Sequence, residues 1–109
     1  MSDFNTYQWK THETAIYPKD RDLEYLGLGL VSEAGEVAGK IKKILRDNGG
    51  TISETARLEL VSELGDVLWY TAQLAWLLQA DLNSVAQGNL DKLRSRSARG
   101  TLIGSGDNR

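Results

Sequence analysis

Two long stretches carry apolar residues at helical spacing, and each has a pair of acids set along its apolar stripe: Glu33-Ala34-Gly35-Glu36 and Glu63-Leu64-Gly65-Asp66. Carboxylates three apart on a helix occupy neighbouring positions of one face, so each pair can grip a single cation. With Leu26 as origin and a step of ~100° per residue, Leu30, Val37, Ile41 and Ile44 fall within roughly 60° of it, and Glu33 falls inside that arc. Glu36 and Lys40 sit near its edge. With Leu60 as origin, Leu64, Val67, Thr71, Leu74 and Leu78 cluster, Glu63 borders them, and Asp66 lies farther out. A carboxylate is costly to bury unless it is paired or bound to metal. The acids are therefore either solvated neighbours of a core stripe or the two halves of one metal site. Their repetition on two helices favours the second reading.

The rest of the chain reads as helix. Ser2 or Asp3 can cap a first helix over residues 3–14, whose Phe4, Tyr7 and Trp9 either pack a core or stack on a nucleobase. Residues 15–21, with the only proline (Pro18), read as a loop. Asp20 or Asp22 can cap a second helix reaching about Asp47, closed by Asn48-Gly49-Gly50. Its Gly27, Gly29, Gly35 and Gly39 are costly in a helix, which close helix contact or room for a ligand would explain. Thr51-Ile52-Ser53-Glu54 is a capping-box pattern for a third helix to about Gln79, and Asp81 caps a fourth from Leu82 to about Arg96. Residues 97–109 read as an irregular basic tail. The expected class is all-α: two long acidic-motif helices and two shorter ones in a single domain, residues 1–109.

A second apolar stripe runs along the long helices through Val31, Ala38 and Leu45 and through Val61, Leu68 and Ala75, with Trp69 and Trp76 sharing another seven-residue step. Helices that are apolar on more than one side need more than one neighbour, which predicts a homodimer, with a homotetramer as a further step.

Composition narrows the chemistry. A net charge of −2 gives no reason to expect nucleic acid or an anionic membrane as partner. The absence of cysteine removes disulfides and thiolate metal sites, and the single His12 removes a multi-histidine site, including the Glu-x-x-His pairs of a di-iron bundle. No apolar run reaches membrane-spanning length and Met1-Ser2-Asp3-Phe4 lacks the marks of a signal peptide, so a cytoplasmic location is expected. An oxygen-only acidic site suits Mg²⁺ or Mn²⁺, which keep waters that phosphate oxygens can replace. Cations for a phosphate ligand are available in Lys40 and, on the fourth helix and tail, Lys92, Arg94, Arg96 and Arg99 beside Asn89.

Glu33-x-x-Glu36, 26 residues, then Glu63-x-x-Asp66 resembles the metal-binding signature of the MazG-like all-α nucleoside triphosphate pyrophosphohydrolases. The surrounding Gly29-Leu30-Val31-Ser32 and Val67-Leu68-Trp69-Tyr70 are similar too, as are Tyr7-Gln8, Asn89-Leu90-Asp91-Lys92-Leu93 with Arg96, and the ending Gly104-Ser105-Gly106-Asp107-Asn108-Arg109 of short bacterial and phage members. The resemblance implies Mg²⁺-dependent cleavage of a (d)NTP to the NMP and pyrophosphate, in a dimer or tetramer whose site can borrow residues from a neighbouring chain. It implies metal ligation by Glu33, Glu36, Glu63 and Asp66, phosphate contacts from Lys92 and Arg96, a sugar or phosphate contact from Asn89, and Tyr7, Gln8 and Trp9 near the base. Many members carry a further glutamate where this chain has Ser32. The general base then falls to one of the four ligands or to Glu59 acting through a water. A dUTP- or dCTP-selective pyrophosphatase, and a nucleotide-binding or helical interaction module that lost the chemistry, are the alternative functions.

Overall fold

The computed structural model describes residues 3–107 and 109; Ser2, the other candidate cap, and Asn108 lie outside them. Four α-helices form, α1 Phe4–Thr11, α2 Asp22–Asn48, α3 Glu54–Leu77 and α4 Leu82–Ala98, and there is no strand among the described residues. The all-α class is as expected.

Local chemistry sets most boundaries. Asp3 accepts from Thr6 N at 2.7 Å and starts α1, which tightens into a 3-10 turn at His12–Thr14 instead of continuing as α-helix. Arg21, not Asp20 or Asp22, holds the N-cap position of α2 and makes no side-chain cap; Asp22 is already the first helical residue. The helix runs unbroken through its four glycines and stops at Gly49, whose φ of +58° is the left-handed turn that glycine adopts freely. At α3 the cap is Ser53, accepting from Ala56 N at 3.1 Å. Thr51 is not the cap, and Glu54, two residues short of the capping-box partner position, pairs with Arg57. Asp81 caps α4 through Ser84 N at 2.8 Å, as its position predicts.

The two long helices form the main packed pair, and α1 lies across α3 and the start of α4. The buried apolar residues are Leu26 and Ile44 on α2, Ala72 and Ala75 on α3, and Leu82 on α4. A polar side chain locks the third layer in place. Gln8, 2% exposed, donates to Ala72 O and Ala80 O and accepts from Leu82 N, so one amide closes α1 onto the α3–α4 corner. Leu64 and Leu78, placed on the buried stripe by helical angle alone, are exposed, because α1 and α2 cover only part of the circumference of α3. On α2 the second stripe is open in one chain, with Val31 71% exposed and Leu45 64%, whereas on α3 it is partly covered, Ala75 being buried and Leu68 half-buried.

Gly29 sets how closely the long pair approaches. A Cβ built there would lie 2.1 Å from Cε1 of Tyr70, so the tyrosine ring rests where any other residue would put a side chain. At Gly27 the same construction meets nothing. Gly29→Ala is expected to cost about 1–3 kcal/mol by overpacking. Gly27→Ala should cost nothing and gain up to ~1 kcal/mol of helix propensity. Urea unfolding of both variants checks this; equal stabilities would show that the contact does not constrain the pair.

Candidate active site

Gly29 meets Tyr70, Glu33 meets Glu63 and Asp66, and Lys40 meets Glu59 and Glu63: the falling register of an antiparallel pair. That register brings the acidic motifs face to face. Glu33, Glu63 and Asp66 each offer a carboxylate oxygen within 4.8 Å of the others. Glu33 and Glu63 are half-buried and Asp66 is exposed. Glu36, one turn on, is exposed and stands outside this group, though its charge still bears on Glu33.

The cluster is electrostatically unfinished. Burial, then the adjoining Glu63 carboxylate, then the charges of Asp66, Glu63 and Glu36 raise the Glu33 carboxyl above its ordinary value. Oε2 of Glu63 is buried with no hydrogen-bond partner among the described residues. Among the described residues, the only cation ion-paired here is Lys40, 3.9 Å from Glu63 Oε1 and 3.6 Å from Glu59 Oε2. Three carboxylates, oxygen donors throughout, and an orphaned buried oxygen fit a hard divalent cation such as Mg²⁺ or Mn²⁺. Glu33, Glu63 and Asp66 would hold it.

A cavity of about 380 Å³ opens beside the cluster, lined by Thr14, Tyr25, Glu33, Asp66, Trp69 and Tyr70. Two carboxylates form one wall and aromatic rings the others. Burial, then contact with Tyr25, then the charges of Glu33 and Asp66 raise the Tyr70 hydroxyl. The Tyr7 hydroxyl is raised by burial and then by the charge of Asp66.

The other expected site residues divide. Lys40 reaches the cluster. Gln8 does not: its amide is spent on backbone groups in the core. Trp9 is exposed and packs edge-on to His12 and Trp76. On α4, Asn89 is exposed, while Arg96 is buried with its guanidinium on Asp107 and Lys92 pairs with the same carboxylate at 3.4 Å. Within one chain these α4 cations are taken by the tail. Ser32 is exposed, and Glu59 is engaged by Lys40. The aromatic wall was not singled out for the site, yet its signal was present: Tyr70 follows Asp66 by four residues and therefore shares its helix face.

The MazG nucleotide pyrophosphohydrolase domain profile matches residues 21–100, which span α2, α3 and α4 and the whole carboxylate cluster. The gene 37 protein of Mycobacterium phage L5 is 53% identical over 109 residues, covering 94% of this chain and 96% of the relative. No solved structure matches the chain. The chain belongs to the MazG nucleotide pyrophosphohydrolase family. Among the described residues, no helix is long and apolar enough to cross a membrane.

Because Glu33 binds its proton more tightly folded than unfolded, ionising it opposes folding. Cation-free stability should therefore fall as pH rises from the ordinary 4.5 through the raised value. Glu33→Gln removes that loss. Without divalent ions at about pH 7 the variant should melt ~2–5 °C above wild type, and the gap should close below about pH 4. A lower melting temperature at neutral pH would show that the charge stabilises the fold without a cation.

Proposed function

We propose that this family member is a Mg²⁺-dependent nucleoside triphosphate pyrophosphohydrolase, converting a (d)NTP to the (d)NMP and pyrophosphate. The observation that carries the reading is the convergence of Glu33, Glu63 and Asp66 beside an aromatic-walled cavity. A triphosphate carries several negative charges, and three bare carboxylates would repel it. A bound divalent ion reverses that field, polarises the phosphate and lowers the pKa of a water.

The chain's own residues supply the remainder. Tyr25, Trp69 and Tyr70 offer flat apolar surface for a base, and Asp66 and Glu33 fix where the phosphates begin. Lys40, already at Glu63, lies where it can turn toward a phosphate oxygen. With Ser32 in place of a carboxylate, the water needs another base. Glu59 is held by Lys40, which leaves a member of the cluster as the base. The exposed stripe through Val31 and Leu45 supports a homodimer or homotetramer in which a second copy covers it. In such an assembly Asn89, Lys92 and Arg96 of α4 serve a phosphate once freed from Asp107. Removal of unwanted nucleotides from the cytoplasmic pool is the role this chemistry fits.

Product analysis on a panel of dNTPs and NTPs with Mg²⁺ tests the proposal. Wild type should give NMP and pyrophosphate, and Glu63→Gln should lose at least ~100-fold in kcat. A panel dominated by dUTP or dCTP would make the enzyme base-selective. Release of NDP and phosphate, or undiminished turnover by Glu63→Gln, would contradict it.

A further inference from the structure

Gln73 is 1% exposed and lies one turn beyond Trp69 on α3, away from the carboxylates. Its orientation follows from its neighbours. Thr11 Oγ1 gives its only proton to Gln8 O at 2.6 Å, so toward Gln73 Nε2, 2.7 Å away, it can only accept. The amide nitrogen therefore faces Thr11 and His12 Nδ1, the latter at 3.1 Å, and the amide oxygen faces outward. There Oε1 accepts from the Tyr17 hydroxyl at 2.7 Å. His12, accepting at Nδ1, carries its ring proton on Nε2, between Trp9 and Trp76.

The bond to Tyr17 reaches the cavity. Tyr17 stacks on Tyr25 with ring centroids 5.4 Å apart and planes at 15°, and stands edge-on to Trp69 at 6.4 Å. Tyr25 and Trp69 are walls of that cavity. A second tie runs from Trp69 Nε1 to Thr14 Oγ1 at 2.9 Å and from Thr14 to Thr11 O at 3.3 Å. Both ties converge on Thr11, the partner of Gln73.

We propose that Gln73 is a positioning residue for the nucleoside end of the site: acting through Tyr17, it holds Tyr25 and Trp69 at the spacing that receives a flat heteroaromatic ring. The inference rests on the functional reading above. Among the described residues, neither Gln73 nor Tyr17 hydrogen-bonds to Glu33, Glu63 or Asp66, so loss of the tie should weaken recognition of the nucleoside and leave the phosphates untouched.

Tyr17→Phe tests this most gently, since it removes the hydroxyl and keeps the ring. Gln73→Met is the companion variant, with Tyr17→Phe decisive alone if it fails to fold. Binding of an α,β-methylene dNTP and of tripolyphosphate, each with Mg²⁺, is measured beside steady-state kinetics. Nucleotide affinity should fall and KM rise about three- to tenfold, the effect of one lost hydrogen bond, with kcat within about twofold and tripolyphosphate affinity unchanged. Unchanged nucleotide affinity in Tyr17→Phe, or an equal loss of tripolyphosphate, would overturn the positioning role. Failure of wild type to bind either ligand would instead overturn the functional reading beneath it.

Discussion

Like charge held between two packed helices is the constraint on which this structure turns. The antiparallel seam of α2 and α3 sets Glu33, Glu63 and Asp66 within 4.8 Å of one another, and the raised Glu33 carboxyl records the strain. Such an arrangement does not stabilise a fold by itself; burying an uncompensated charge works against it. Apolar contacts on either side of the cluster oppose it, with Leu26 and Ala72 toward one end and Ile44 toward the other. The absent side chain of Gly29 lets Tyr70 close the aromatic end against α2. The seam therefore holds an acidic surface at a standing electrostatic cost, which the cation proposed above would relieve.

Around that seam, polar side chains do what apolar ones do in larger cores. Gln8 binds α1 to the α3–α4 corner through backbone groups of Ala72, Ala80 and Leu82, and Gln73 ties α1 and the following loop to α3. A chain of this size has little interior to fill, and its two longest helices leave much apolar surface in the open. Directional bonds fix the placement of the short N-terminal helix where packing area is limited.

Periodicity showed helix type and order, because the apolar patterns and the caps at Asp3 and Asp81 are local properties; at α3 the capping-box pattern pointed to Thr51, and Ser53 holds the cap instead. The facing of Glu33 with Glu63 followed from the same stripes, whereas those stripes set Asp66 farther out than the structure does. What lay beyond reach was tertiary. Nothing local distinguishes Gln8, a core clamp, from a ligand contact. Glu36 shares the motif but not the cluster, a difference that its i,i+3 spacing, the same as that of Glu63 and Asp66, does not reveal. The pairing of Arg96 with Asp107 joins positions whose relation depends on how the tail folds back. The loop tyrosine Tyr17 became part of the cavity's support only through Gln73, a contact spanning much of the chain.

The most direct measurement is a titration of the cation-free protein with Mn²⁺, read by the loss of its free-ion paramagnetic signal, on wild type and on Asp66→Asn. Saturable binding by wild type, competed by Mg²⁺ and weakened at least ~10-fold in the variant, is the predicted result. Equal binding by both proteins, or none by wild type, would contradict the claim that this seam exists to hold a divalent ion.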